Sequence, residues 1–339
     1  MNTRLLAVIT DDRFGNADEE RAVLEPLGVA LRVAACATGA EVAAACAEAD
    51  AVLANMAPID AVAVAGMNRC RIVSRYGIGM DSVDQAACAA RGIAVANVPG
   101  YCDAEVAEHT LGLLLSLTRG TSERDAAIRS GAWNVPSPQR SVTGTTVGVA
   151  GFGGAGRSFV GAVMGLKPAR ILVWSPHISQ PRIDAAFGQA AAALGVSIRA
   201  VSFGEMLAGS DVLSVHLKLT PDSAGLFGEA AFARMKRGAY FINTARGGIV
   251  DSAALARALA DGRLSGAGID VIDAEPPLPG HPLLSAPNVI LTDHCAYRST
   301  RSVAEPNRRC AENAARGLGL ELEGRAPSAR AVLAPVNLN

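Results

Sequence analysis

Three chemically complementary side chains stand at the ends of successive apolar runs late in the chain. Phe241-Ile242-Asn243-Thr244-Ala245-Arg246 carries an arginine just past a buried strand pattern. Gly268-Ile269-Asp270-Val271-Ile272-Asp273-Ala274-Glu275-Pro276-Pro277 ends in acids before prolines, and Asn288-Val289-Ile290-Leu291-Thr292-Asp293-His294 ends in a histidine. An arginine fork matches a carboxylate bidentately. Histidine titrates near neutrality and suits proton exchange with a carbonyl or hydroxyl oxygen. A neighbouring carboxylate would orient the imidazole and stabilise its charged form. The set fits hydride transfer at C2 of a small 2-oxo or 2-hydroxy acid. If the runs are adjacent strands, Arg246, Glu275 and His294 converge at one sheet edge, where open α/β sheets bind ligands.

A hydride needs a carrier, and the chain has a loop for one. Thr146-Val147-Gly148-Val149-Ala150 leads into Gly151-Phe152-Gly153-Gly154-Ala155-Gly156-Arg157, a GxGxxG pattern between a strand and a helix. Gly151 permits the tight turn, Gly153 lets the backbone approach a pyrophosphate, and Gly156 lets helix and strand pack closely. Alone the motif is weak in a chain with 35 glycines. An acid normally ends the next strand to bind the ribose 2′-hydroxyl. Here Ile171-Leu172-Val173-Trp174 runs into Ser175-Pro176-His177, so NAD or NADP is expected. His177, Arg182 and Lys218 are possible sources of positive charge for a 2′-phosphate.

The elements that must position these groups follow a strand–helix alternation, which implies parallel sheets covered on both faces. In the first part, strands are expected at Leu5–Thr10, Val29–Ala34, Ala51–Ala54, Arg71–Arg75 and Ile93–Asn97, with a helix at Ser82–Ala90. A long helix follows from Asp103 to about Thr118, acidic in its first turns. After Pro136 and Pro138 a second series begins: Thr146–Ala150, Ile171–Trp174, Val212–Leu217, Tyr240–Thr244, Gly268–Val271 and Val289–Leu291. A closing helix, about Ser299 to Leu318, leads to a Pro-containing tail. The expected architecture is α/β, with two doubly wound parallel-sheet domains. Residues 1–102 and 297–339 form a discontinuous substrate domain, and 103–296 an inserted cofactor domain.

Composition narrows the class. The chain has 339 residues, half of them hydrophobic, enough for two cores. Lys plus Arg number 31 against 32 for Asp plus Glu, which offers nothing to attract nucleic acid or an anionic membrane. The 7 cysteines are scattered without a CxxC pair, arguing against a disulfide framework or structural zinc and for a reducing cytoplasmic setting. No metal is expected, since no His/Cys/Asp group has ligand spacing. The apolar run Leu5–Ile9 reads as a first strand, not a signal peptide. Leu111–Leu117 is far too short to span a membrane.

Taken in order, the motifs resemble the D-isomer-specific 2-hydroxyacid dehydrogenase family. They are Gly77-Ile78-Gly79-Met80-Asp81-Ser82-Val83-Asp84, Ala104-Glu105-Val106-Ala107-Glu108-His109-Thr110, the glycine loop, NTARGGIVD from Asn243, GxDVxxxEPP from Gly268, and TxH at Thr292. The resemblance runs from about Ala51 to Ala315. Within the phosphoglycerate dehydrogenase and C-terminal-binding-protein-like branch it resembles, Val98-Pro99-Gly100-Tyr101-Cys102 and HxAxxS at His294–Ser299 lean towards bacterial relatives of the C-terminal-binding proteins.

The resemblance implies a Rossmann cofactor domain inserted into a flavodoxin-like substrate domain, and an NAD(P)-dependent D-2-hydroxyacid dehydrogenase. It implies that Arg246 binds the substrate carboxylate, that His294 is the acid/base, and that Glu275 holds the imidazole and raises its pKa. Backbone amides around Ile78 and Gly79 would complete the carboxylate site. Asp270 would contact the nicotinamide carboxamide, with Thr244 and Thr220 on the cofactor side. Leu111–Leu117 is read as core or subunit interface, and a homodimer is expected.

Two departures stand out. Asp293 replaces the family's usual proline before the histidine, and either raises the imidazole pKa or points to solvent. Gly154 replaces an arginine often found in the glycine loop, leaving pyrophosphate contacts to backbone amides. Glu275 argues against the formate dehydrogenase branch, which carries Gln there. His109 and His216 read as structural and His281 as a loop residue, while Cys295 reads as packing. A second reading is a dinucleotide-sensing, corepressor-like interaction protein with little turnover.

Overall fold

The structure, a computed structural model, describes residues 4–12, 15–136, 139–322 and 332–333. Pro138 and most of the Pro-containing tail lie outside these residues. The chain divides into two compact units, Met1–Tyr101 with Ser299–Asn339, and Cys102–Arg298.

The first unit is built on β1 (Leu6–Ile9), β2 (Ala30–Val33), β3 (Ala51–Ala54), β4 (Ile72–Arg75) and β5 (Ala94–Ala96). They lie parallel in the order β5-β4-β3-β1-β2, the doubly wound flavodoxin-like arrangement. All four residues of β3 are buried, as a central strand covered on both faces requires. The expected helix at Ser82 begins at Gln85 instead, because the Asp84 carboxylate accepts from the Ala87 amide (2.9 Å) and caps it there. The helix Thr300–Gly317 packs on β3 and β4, and the Ser74 hydroxyl donates to the Cys310 carbonyl (2.9 Å).

The second unit carries β6 (Thr146–Ala150), β7 (Arg170–Trp174), β8 (Ser197–Ala200), β9 (Val212–Val215), β10 (Ala239–Asn243), β11 (Leu264–Ile269) and β12 (Val289–Leu291). All are parallel, ordered β12-β11-β10-β9-β6-β7-β8, a Rossmann sheet with the chain reversing direction across β6 and β9. In the first unit, β13 (Val332–Leu333) adds antiparallel to β5. The sequence reading held six strands in the second series, and β8 is the seventh. It is an edge strand in which only Ile198 is buried, so it leaves a weak apolar signal.

Strand register aligns the second unit's carboxyl ends. Trp174 pairs with Ala150, Ala150 with Val215, Val215 with Asn243, Asn243 with Ile269, and Ile269 with Leu291. One row of last residues therefore crosses the sheet. The residues one step beyond it are Ser175, Gly151, His216, Thr244, Asp270 and Thr292. The chemistry-bearing positions thus come from one level of one sheet.

Candidate active site

Arg246 sits two residues past Thr244, on a turn propped from below by Asn243. The wholly buried Asn243 side chain accepts from the Ala245 amide (3.0 Å) and donates to the Arg246 carbonyl (2.9 Å). The Arg246 guanidinium donates to the Ala245 carbonyl (2.7 Å). A side chain at Gly247 would overlap the backbone of Ile272 and Asp273. Glycine there lets the Arg246 turn press directly on the segment leading to Glu275.

That segment has its own fastening. The Ser252 hydroxyl donates to Asp273 Oδ1 (2.7 Å), and His281 Nε2 lies 2.8 Å from the same oxygen. Burial would raise the Asp273 carboxyl, but the hydrogen bonds from His281 and Ser252 hold it below the usual range. His281 is therefore more than a passing loop residue: it ties down the loop that carries Glu275.

Glu275 Oε2 lies 2.6 Å from His294 Nδ1, while Oε1 accepts from the Ile272 amide (3.2 Å). Both side chains are 28% exposed, so solvent reaches the pair without dissolving it. Desolvation would raise the Glu275 carboxyl. The hydrogen bond and charge of His294, the Ile272 amide and the nearby Arg246 guanidinium outweigh it, and the carboxyl is held below its ordinary value. An ionised carboxylate only accepts, so His294 carries its proton on Nδ1 toward Glu275. Nε2 is the nitrogen left to exchange a proton.

His294 itself adopts φ +52°, a left-handed conformation uncommon for a residue with a side chain. Asp270 enforces it. The Asp270 carbonyl accepts from the His294 amide (2.8 Å). Its carboxylate, 2% exposed as a residue, accepts from the Thr292 hydroxyl (2.6 Å) and from the amides of Cys295 (3.0 Å) and Ala296 (3.1 Å). His109 Nε2, from the helix Asp103–Arg119, adds a 3.0 Å contact to the Thr292 hydroxyl. Both oxygens of Asp270 are thus engaged in holding the histidine's turn. Sequence reasoning did not find the Thr292 and His109 contributions. The TxH and AEHT motifs were visible, but their meeting is not.

His109, Asp270 and Cys295 also bring potential metal-ligand atoms within 4.8 Å of one another, a grouping that sequence spacing conceals. The hydrogen bonds just described already knit this cluster together. Burial and the carboxylates of Asp293 and Asp270 push the Cys295 thiol up to about 11, so it is no thiolate nucleophile. Asp293 is exposed, and the thiol of Cys295 is the first cause holding its carboxyl low.

The glycine loop opens the helix Gly154–Met164. Gly151 has φ +110°, and a side chain there would overlap the His216 carbonyl. A side chain at Gly156 would overlap the Gly151 carbonyl, whereas one at Gly153 would enter open space. Internal packing therefore accounts for Gly151 and Gly156 but not Gly153, where the backbone is open to an approaching ligand. The amides of Gly154, Ala155 and Gly156 begin the helix, whose N-terminus favours an anion. Among these residues the structure offers the cradle that a dinucleotide pyrophosphate requires.

Beneath the loop, His216 Nε2 lies 2.9 Å from the Ser214 hydroxyl and its ring is 5.2 Å from Phe159. Its Nδ1 is buried without a hydrogen-bond partner among the described residues. Burial pulls its pKa down to about 3, so it is neutral packing under the loop. The Gly151 amide donates to the Trp174 carbonyl (2.7 Å), tying the loop to the strand end that bears half-buried Ser175. His177 is exposed just beyond.

Thr244 is buried, its hydroxyl 2.9 Å from that of Thr110. Thr220 is exposed, and its amide donates to the Ser223 hydroxyl (2.8 Å). In the other unit, Ile78 and Gly79 are half-buried just past β4, where the Asn97 side chain donates to the Ile78 carbonyl (2.8 Å). No helix among the described residues is long and apolar enough to cross a membrane.

The strand order, with a glycine loop on a central strand, defines a Rossmann-type α/β protein. Residues 111–296 match the family described as D-isomer specific 2-hydroxyacid dehydrogenase, NAD binding domain. Over 279 residues the chain is 37% identical to the D-3-phosphoglycerate dehydrogenase of Mycobacterium leprae, covering 82% of this chain and 50% of that one. It is 34% identical over 282 residues to the glyoxylate reductase of Thermofilum pendens, covering 80% and 77%. A glyoxylate reductase crystal structure from Paecilomyes thermophila superposes with a TM-score of 0.83 at 25% identity, covering 94% of this chain and 98% of that one. The chain belongs to the D-isomer-specific 2-hydroxyacid dehydrogenase family. It spans about half the length of the curated phosphoglycerate dehydrogenases it matches.

Proposed function

We propose that the protein is an NAD(P)-dependent dehydrogenase that interconverts a small 2-oxo acid and the corresponding D-2-hydroxy acid. The observation that carries this reading is the 2.6 Å Glu275–His294 pair, with Arg246 at the same sheet edge, one strand from Glu275 and two from His294. Relatives named for phosphoglycerate, glycerate and glyoxylate support a short-chain substrate.

Arg246 binds the substrate carboxylate and draws electron density from the adjacent carbonyl. A bound dinucleotide supplies the hydride that C2 accepts. His294 Nε2–H then gives its proton to the substrate oxygen, with Glu275 stabilising the imidazolium beforehand. In the reverse direction the same nitrogen takes the hydroxyl proton.

Gly151, Gly153, Gly154, Ala155 and Gly156 would hold the pyrophosphate, and Ser175 would stand by the ribose without the charge that repels a 2′-phosphate. The cofactor is therefore NAD or NADP. Thr220, Thr244 and Asp270 would border the nicotinamide end, with Asp270 acting chiefly by fixing the His294 turn. The protein works in the cytoplasm as a homodimer. Exposed Trp133 and Ile128, on and after the helix Thr121–Arg129, support self-association.

The test is loss of NADH or NADPH absorbance with glyoxylate, hydroxypyruvate, pyruvate, oxaloacetate, phenylpyruvate and a phosphorylated oxo acid. Turnover with at least one oxo acid is expected. Binding of cofactor with no turnover across the panel would favour a dinucleotide-sensing protein instead.

A further inference from the structure

Asp103 begins the helix Asp103–Arg119, and its carboxylate lies against Gly154, the first residue of the helix that follows the glycine loop. Any side chain at Gly154 would overlap that carboxylate. The missing side chain in the loop is therefore matched by an acid reaching in from another helix. This acid stands at the end of the helix where the open amides would draw an anion.

We propose that Asp103 is a proton-coupled discriminator in the dinucleotide site: its carboxylate takes up a proton from solvent when the pyrophosphate binds, so affinity falls as pH rises. The inference rests on the cofactor reading above and deepens it. Two like charges brought to one partly desolvated helix end cannot both remain ionised without cost, and protonating Asp103 removes one of them.

The surroundings favour this outcome. Burial, the largest cause, raises the Asp103 carboxyl above its ordinary value; the charge of Arg157, on the facing helix, pulls it down, and that of Glu105, on its own helix, pushes it up. Arg157 is exposed, so solvent screens its attraction. His216, beneath the loop, is neutral and supplies no compensating charge. Binding an anion raises the carboxyl further. Affinity is then greatest below the pKa of the free protein, declines between the free and bound values, and levels off above both.

The experiment is NADH binding by fluorescence and calorimetry from about pH 5 to about pH 9, for the wild type and Asp103→Asn. NADH is preferred because the 2′-phosphate of NADPH titrates near neutrality itself. The wild type should weaken by about tenfold across this range, and D103N should be nearly flat and tighter at the alkaline end. Calorimetry of the wild type in two buffers of different ionisation enthalpy should show proton uptake, which needs no variant and survives a failure of D103N to fold. NADH binding without proton uptake overturns the inference and leaves the cofactor reading standing, as do parallel pH curves for the two proteins. Failure of the wild type to bind either dinucleotide overturns both.

Discussion

Two glutamates, one in each unit, make hydrogen bonds of the same length to a ring-bearing side chain, yet their titrations move in opposite directions. Glu275 meets His294 Nδ1 at 2.6 Å and is held low. Glu20, on the helix Asp18–Leu24, accepts from the Tyr76 hydroxyl at 2.6 Å and is raised. Glu20 is 1% exposed, and one carboxyl oxygen has no hydrogen-bond partner among the described residues. Its neutral phenol partner offsets only part of the burial cost, and burial wins. Glu275 keeps 28% of its side chain open to water and faces a ring that can become cationic. The length of a hydrogen bond does not determine the charge it carries; the partner's charge and access to solvent do.

The largest test of this contrast is His294→Ala. It should lower kcat by about a thousandfold, the scale of general acid/base catalysis, and leave dinucleotide Kd unchanged in a fluorescence titration. Loss of cofactor binding instead would contradict the assigned role. Glu275→Gln keeps an acceptor for Nδ1 but removes the charge, and a drop in kcat of about a hundredfold is expected. The sign of its pH dependence follows from the depressed carboxyl. In the wild type the stabilisation of the pair is present above the ordinary value of 4.5 and lost as pH falls through the lower folded value. Gln should abolish that acid-side loss. An unaltered kcat would show that proximity to His294 carries no catalytic weight.

The smallest effect belongs to Glu20→Gln, and it should appear in stability alone. Because the folded value is raised, stability is fully present below 4.5 and lost as pH rises through the folded value. Melting curves across this range should therefore be flatter for the variant than for the wild type, with kcat unaffected. Identical slopes would mean that the Tyr76 bond fully offsets burial.

Much of the fold was legible because buried parallel strands read as short apolar runs. Ala51–Ala54, Thr146–Ala150 and Val289–Leu291 have the bounds their composition suggests. β8 was missed because an edge strand buries little, and the start of β11 because Ser265 and Gly266 dilute its apolar pattern. Arg246, Glu275 and His294 were visible as strand-end residues. Asp270 was visible as a residue, but not as the hub of the His294 turn, because its partners come from residues 292–296 and its further contact from the distant helix bearing His109. Nor does spacing reveal that Asp103 fills the room left by Gly154. Contacts between distant elements leave no local periodicity to read.

The level row of strand ends works as a ruler. Adjacent parallel strands are separated by about 4.8 Å, so the strands that lead to Arg246 and His294 stand about 10 Å apart, with the Glu275 strand between them. That pitch belongs to the backbone and cannot be retuned by a point substitution. On the proposed roles of Arg246 and His294, side-chain reach alone would close that gap around a molecule whose carboxylate adjoins its reacting carbon. A longer acid would have to find its extra room elsewhere than between Arg246 and His294, because the spacing of the strands that lead to them is woven into the sheet.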